Sequence, residues 1–297
     1  MIARSSSPTI AVVVATRGRA AEVCILLERL AQGHRRPDHV VIVGSSPADW
    51  AGTETAVLPV ITLASSEPGL PRQRNAGVRH LLENAVAADV IVFFDDDFRP
   101  HRDWLDAAAA VFKTHEDVVG LTGAVLRDGA KTAAIDEAEA SNVLAAWVRP
   151  AGEAAQSVPR LYGCNMAVRA AVFDRARFDE RLPLYGWLED LDFSGQLQGR
   201  QVLARHCAGV HLGSKGARVS GRRYGYSQIA NPLYLAGKGT CPPLLTARFL
   251  AQALVLNALR AFYRHPLFDY RGRLDGNLRA FGDVLRGRLR PERILDL

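Results

Sequence analysis

Between Thr9 and Asp97 apolar, β-branched runs alternate with amphipathic helical stretches, and this alternation constrains the fold more than any other feature of the chain. "TIAVVVA", "HVVIVG" and "AVLPVITL", the last weakened by Pro59, read as strands. "AAEVCILLERLAQ" and "PRQRNAGVRHLLENA", with Pro71 near its first turn, read as helices. A fourth run, Val90 to Phe94, lacks polar alternation, as expected of a strand buried on both faces. Strands separated by helices imply a parallel sheet with right-handed crossovers, whose ligands collect beyond the carboxyl ends of the strands. "TRGR" follows the first strand and Asp95, Asp96 and Asp97 follow the fourth, so one edge gathers both.

Because side chains alternate along an extended chain, Asp95 and Asp97 are expected on one side and Asp96 on the other. Like charges this close raise each other's pKa unless a cation neutralises them, and hard oxygen ligands select Mg2+ or Mn2+. The competing reading is an acidic turn capping the helix of "HRDWLDAAAAVF", for which Asp103 is already placed. A second acidic cluster, Glu189, Asp190 and Asp192 in "WLEDLDF", either satisfies the positive end of a helix or supplies a general base. The aromatic, Gly-containing "LPLYGW" before it, ending on Trp187, suits a sugar or acceptor pocket. His211 in "VHLGSKGAR" precedes Gly213, Lys215, Gly216 and Arg218, a flexible cationic loop suited to closing over a diphosphate or, alternatively, a solvated basic turn.

Beyond Leu126 the pattern is less regular. A helix is expected through "IDEAEASNVLAAWV", a flexible "RPAGEAAQSVPR", a strand entering a short helix in "LYGCNMAVRAAVF", and a helix from about Glu189 to Gly199. Short strands and a Gly, Arg and Lys-rich loop follow, and from Pro242 the chain reads as mainly helical. Cys24, Cys164, Cys207 and Cys241 form no Cys-x-x-Cys pair and signal neither a zinc site nor a disulfide framework, which fits a reducing cytosol. The N-terminal apolar stretch is too short for a secretory signal, and Arg248, Gln252 and Asn257 interrupt the most apolar C-terminal window, so a soluble or peripheral protein is expected. Only four of the 37 basic residues are Lys, and the basic residues are dispersed without a stacking platform, which argues against a nucleic-acid partner.

"VVVATRGR", "GLPRQRNAG", "FFDDDFRP", "YGWLEDLDFS" and "VHLGSKG", in this order from Ile10 to about Tyr226, resemble the bacterial family-2 glycosyltransferases. The resemblance implies an α/β, GT-A nucleotide-sugar-binding fold, Rossmann-like, with a mostly parallel central sheet flanked by helices. It also implies a glycosyltransferase domain over residues 1–240, divided near 125 into nucleotide-sugar and acceptor halves, with a helical extension over 241–297. In this reading Thr16, Arg17, Arg74, Asn75, Asp95 and Asp96 bind the nucleotide sugar, and Asp97 and His211 hold Mn2+ or Mg2+. Asp190 is the catalytic base, and Trp187, Glu189, Lys215 and Arg218 are acceptor or loop candidates. One departure stands out: "VIVGSSPADW" has Gly44, Ser45 and Ser46 where many members carry a base-reading Asp, leaving Asp49 as a substitute from the loop.

The implied activity is inverting transfer of a sugar from a nucleoside-diphosphate donor to a glycan or lipid-linked acceptor, in cytoplasmic cell-surface polysaccharide synthesis. A non-catalytic nucleotide-sugar or polyanion-binding protein is the alternative, and a metal-dependent hydrolase a weaker rival. The C-terminal "NLRAFGDVLRGRLRPERIL" either packs with a solvated Arg face or lies as a basic helix on the inner face of the membrane.

Overall fold

The first apolar runs form strands β1 (Ile10–Ala15), β2 (His39–Gly44), β3 (Val60–Ala64) and β4 (Val90–Asp95), with helices α1 (Ala20–Ala31) and α2 (Leu70–Glu83) between them. β3 begins only at Val60: Pro59 has no N–H to give, while its carbonyl accepts from Val40 N at 2.9 Å. The computed structural model describes residues 7–130, 132–152, 155–214, 219–263, 265 and 267–297. The described residues fall into two units, one within Met1–Glu67, Gln73–Arg177 and Leu197–Ala217, the other within Pro68–Arg72, Phe178–Gln196 and Arg218–Leu297.

The first unit holds the whole sheet. After β4 come β5 (Phe98–Pro100), α3 (Trp104–Thr114), β6 (Val118–Asp128), α4 (Glu137–Ala146), β7 (Ala155–Ser157) and β8 (Asn165–Arg169). The strand order is β3-β2-β1-β4-β8-β6, then β9 (Arg200–His211) and β5, with β7 also on β9. β1 to β4 are mutually parallel, and β8 runs antiparallel between β4 and β6. Ile10, Val12 and Val14 of β1 and Val90, Val92 and Phe94 of β4 share one buried cluster with Leu26 of α1 and Trp104 of α3. The parallel part, β1 to β4, is the sheet that the strand and helix alternation calls for; the antiparallel strands β8, β5 and β7 are not read from it.

Three expectations fail locally. "RPAGEAAQSVPR" contains β7, whose Ala155–Ser157 pair with Val202–Ala204, a strand too short to leave a periodic trace. The expected short strands after Gly199 are one strand of 12 residues. Asp103 does not cap α3 through its side chain; its carboxylate faces His34 and His101 instead.

The second unit is helical: α5 (Glu189–Gln196), α6 (Gly221–Lys238), α7 (Pro243–Ala261) and α8 (Tyr270–Leu285). α6 stands partly where a Gly and Arg-rich loop was expected, with Ser220 as its cap and Pro232 inside it. Its glycine has a packing reason. A Cβ on Gly225 would meet Arg273 O at 2.0 Å, and one on Gly276 would meet Arg222 O at 2.1 Å, so α6 and α8 touch backbone to backbone.

Candidate active site

The β1–β4 register pairs Ala15 with Asp95, which places Thr16 beside Asp96 just past the strand ends. Thr16 Oγ1 donates to Asp96 Oδ2 at 2.8 Å, and Arg19 Nη1 donates to Asp96 Oδ1 at 2.8 Å. Asp95 and Asp97 lie on the other side with His211: their ligand atoms and an imidazole nitrogen all fall within 4.8 Å of one another. His211 Nε2 is 3.3 Å from Asp97 Oδ1 and 3.8 Å from Asp95 Oδ2. β5 positions this histidine, because Phe98, the residue after Asp97, pairs with His211, and Leu212 N donates to Asp97 O at 3.0 Å.

Each charge in the cluster has a counter-charge. Arg74, 2% exposed, donates through Nη2 to Asp95 Oδ1 at 2.9 Å and to Gly163 O at 2.8 Å. Asn75 is buried on the same helix, and Gln73 Nε2 donates to Thr16 O at 2.9 Å. Burial pushes the Asp96 carboxyl up to about 7 against the pull of Arg19. Burial pushes Asp97 in the same direction, but His211, Arg19 and the Ser214 N–H outweigh it and hold the carboxyl below its usual range. For His211 burial favours the neutral ring, yet Asp128, Asp97 and Asp95 raise it to about 10.

Sequence reasoning missed Asp128, Tyr162 and Arg19. His211 Nδ1 lies 3.0 Å from Asp128 Oδ1, and the Tyr162 hydroxyl donates to Asp128 Oδ2 at 3.0 Å. Close approach of two backbone segments allows this: a Cβ on Gly129 would meet Leu212 O at 2.0 Å, and Gly213, at φ +68°, lies against Gly129. Arg19 was present in the quoted "TRGR", but it is the half-buried partner of the acids, whereas Arg17 is exposed. Arg19 Nη2 also donates to Ser214 O at 2.7 Å, and Ser214 N donates to Asp97 Oδ2 at 2.7 Å. Lys215 and Arg218, expected in the closing loop, lie outside the described residues. Asp49 is buried, and its carboxylate accepts from the N–H groups of Gly18 at 2.6 Å, Ser45 at 2.6 Å and Ser46 at 3.1 Å.

Trp187, Glu189 and Asp190 belong to the second unit. The loop leading to α5 is unusual: Leu184 (φ 59°), Gly186 (φ 61°) and Leu188 (φ 72°) all take left-handed backbones. Each leucine there costs about 1–3 kcal/mol, the kind of strain found where a side chain must be aimed. Leu70 N donates to Leu184 O at 2.8 Å and Asn231 Nδ2 to Trp187 O at 2.7 Å, which fixes the loop. The Trp187 ring packs edge-on against Tyr224 and Phe249. The three acids at the start of α5 then separate by burial. Glu189 is 4% exposed and Asp192 0%, whereas Asp190 remains partly exposed, with Oδ1 accepting from Leu191 N at 2.8 Å. Asp192 is an anchor, bound by Lys238 Nζ at 2.8 Å, Thr240 Oγ1 at 2.6 Å and Gln196 Nε2 at 2.9 Å.

Two carboxylates and an imidazole at the carboxyl edge of a parallel sheet match the donor chemistry of a divalent cation. The family model "Glycosyl transferase family 2" matches residues 11–176, more than half of the chain. The chain belongs to glycosyl transferase family 2. Among solved structures, the glycosyltransferase resembles the mannosyltransferase PcManGT from Pyrobaculum calidifontis, in complex with GDP-Man and Mn2+. That likeness has 17% identity and a TM-score of 0.54, covering 95% of this chain and 87% of that one. It also resembles S. aureus TarS 1-349 in complex with UDP-GlcNAc (18% identity, TM-score 0.52, 86% and 74% covered). A third likeness is glucosyl-3-phosphoglycerate synthase from Mycobacterium tuberculosis with phosphoglyceric acid (14% identity, TM-score 0.51, 79% and 81% covered). These likenesses give the glycosyltransferase its GT-A fold. No curated protein sequence matches the chain.

Proposed function

We propose that this glycosyltransferase moves a sugar from a nucleoside-diphosphate sugar to a hydroxyl of a glycan or lipid-linked acceptor, with inversion, in bacterial cell-surface polysaccharide synthesis. The observation that carries the reading is the convergence of Asp95, Asp97 and His211 beside Thr16 and Arg74 at one sheet edge. Asp97 and His211, with Asp95, would hold Mn2+ or Mg2+, which supplies positive charge where the departing diphosphate becomes negative. Thr16, Arg17, Arg74 and Asn75 would line the nucleotide and donor sugar, and Asp96 orients Thr16 and Arg19. Asp190 would accept the proton of the acceptor hydroxyl as its oxygen bonds to the anomeric carbon and the carbon–phosphate oxygen bond breaks. Displacement from the opposite face in one step inverts that carbon. Trp187 and Glu189 are proposed for the acceptor, and Lys215 and Arg218 for the diphosphate.

The compared proteins were solved with GDP-Man in one case and UDP-GlcNAc in another, so both bases enter the test. A thermal-shift screen of UDP, GDP and dTDP, each in chelator, Mg2+ and Mn2+, tests the reading. One nucleotide should raise the melting temperature only with a divalent cation. Stabilisation of equal size in chelator removes the metal from the site, and no stabilisation by any nucleotide removes the donor class.

A further inference from the structure

Helix α7 is apolar on both sides: Ala253, Leu250 and Leu254 pack into one cluster of its unit and Leu245 and Phe249 into another. Thr246 and Asn257 are buried on its inner side, where Asn257 Nδ2 donates to Gln228 Oε1 and to Asn277 Oδ1, both at 2.8 Å. Residues 244, 248, 251, 255, 259 and 262 recur at three- or four-residue spacing and share the outer face. That face carries Leu244 (85% exposed), Val255 (55%), Leu259 (62%) and Phe262 (83%). A water-facing helix normally turns a polar face outward, and an apolar face of this extent marks a surface that something covers.

Charge indicates what covers it. The stretch 243–297 contains ten Arg and five acidic residues. The acids are engaged within the unit: Asp275, Asp283, Glu292 and Asp296 with arginines, and Asp269 as the cap of α8. Arg248, Arg260, Arg271, Arg286 and Arg288 are exposed and make no ion pair among the described residues. A second copy of the chain would bring the same uncompensated positive charge, Arg248 on this face included, whereas an anionic surface would neutralise it.

We propose that the outer face of α7 docks on an anionic lipid bilayer, with the helix lying along the surface, Leu244, Val255, Leu259 and Phe262 in the acyl boundary and Arg248 reaching the phosphates. α7 is long and apolar enough by composition to cross a membrane, with 17% of its most apolar stretch buried. Its inner face is nevertheless committed by Asn257 to Gln228 of α6 and Asn277 of α8, Thr246 is buried on the same side, and Arg248 lies on the outer face, so it reads as an interfacial helix. The inference is independent of donor and acceptor chemistry.

The test is co-sedimentation of the full chain with phosphatidylcholine vesicles, with and without phosphatidylglycerol. The chain should partition at least about ten-fold better onto the phosphatidylglycerol vesicles and be released by salt. Leu259→Gln combined with Phe262→Ser should lose at least about ten-fold of that binding at an unchanged melting temperature. If the double variant melts early, Leu244→Gln, at the other end of the helix, takes its place. Absence of vesicle binding by the wild type, or equal binding by the folded variant, overturns the proposal. So does a concentration-dependent dimer in sedimentation velocity that the same substitutions dissolve, which would make a second copy the occupant.

Discussion

His211 Nδ1 lies 3.0 Å from Asp128 Oδ1, and the register of β6 and β9 sets these two residues opposite each other. With Nδ1–H directed to Asp128, Nε2 is left facing Asp97 and Asp95, and a carboxylate behind an imidazole both orients the ring and raises its basicity. Asp128→Ala should therefore weaken Mn2+ binding by about 10–100-fold in calorimetric titration. Tyr162→Phe, which removes only the hydroxyl on Asp128 Oδ2, should weaken it less. Unchanged Mn2+ affinity in Asp128→Ala would show that His211 is held without it.

Gly129→Ala probes the same geometry through the backbone. Its new Cβ would lie 2.0 Å from Leu212 O, so the segments bearing Asp128 and His211 must part. The variant should lose about 1–3 kcal/mol of stability and bind Mn2+ more weakly. Gly237→Ala in α6 is the control, since a Cβ there meets nothing within 4 Å and helix propensity favours alanine. Equal behaviour of the two variants in thermal melts and Mn2+ titration would sink the argument.

Lys238 Nζ bridges Asp179 at 2.7 Å and Asp192 at 2.8 Å. Burial pushes the Asp179 carboxyl up, but hydrogen bonds from Lys238 and Tyr234 prevail and hold it below its usual range. Burial likewise opposes the Lys238 charge, and the two aspartates raise its pKa nonetheless. The Asp179 contribution to stability is fully present above the ordinary carboxylate value of about 4 and is lost as pH falls through the depressed one. The Lys238 contribution is fully present below about 10.5 and is lost as pH rises through the raised value. Lys238→Met leaves Asp192 buried without its cation and should cost about 3 kcal/mol at neutral pH. Denaturation of both proteins across pH should show that difference shrinking in acid; a constant difference would assign the loss to packing.

The sheet was legible because an apolar run without alternation has few places to go, and β4 with the aspartates at and just past its end carries that signal within the eight residues Val90 to Asp97. Asp128 was not. It ends a long strand whose pairing partner stands 83 residues away, and nothing local separates it from an ordinary turn acid. Arg19 was visible as a residue but not as the one that turns inward, because loop direction depends on Asp96. α7 shows the limit of periodicity: spacing tells which residues share a face, and only the partner helices decide that Thr246 and Asn257 go inside. α6 was obscured by Gly221, Gly225 and Pro232, residues that weaken a helix in isolation and, in Gly225, allow the contact with α8.

Asp190 and Asp192 share one helix start, and the dipole acts on both alike. Their surroundings divide them. Asp190 is partly exposed and proposed as the base, so Asp190→Asn keeps size and polarity but cannot take the acceptor's proton at neutral pH. Donor binding should persist while transfer falls by roughly 10²-fold or more. Asp192, fully buried with Lys238 and Thr240, is no neutral control: Asp192→Asn should lower the melting temperature while the fraction that remains folded keeps most of its turnover. The measurements are sugar transfer per folded molecule, donor affinity in parallel, thermal melts of both variants, and the anomeric configuration of the product by NMR. If helix capping were the whole role of these acids, both variants would lose a little stability and little transfer. Full transfer by Asp190→Asn would remove the base, and a product that retains the donor's configuration would remove the single displacement.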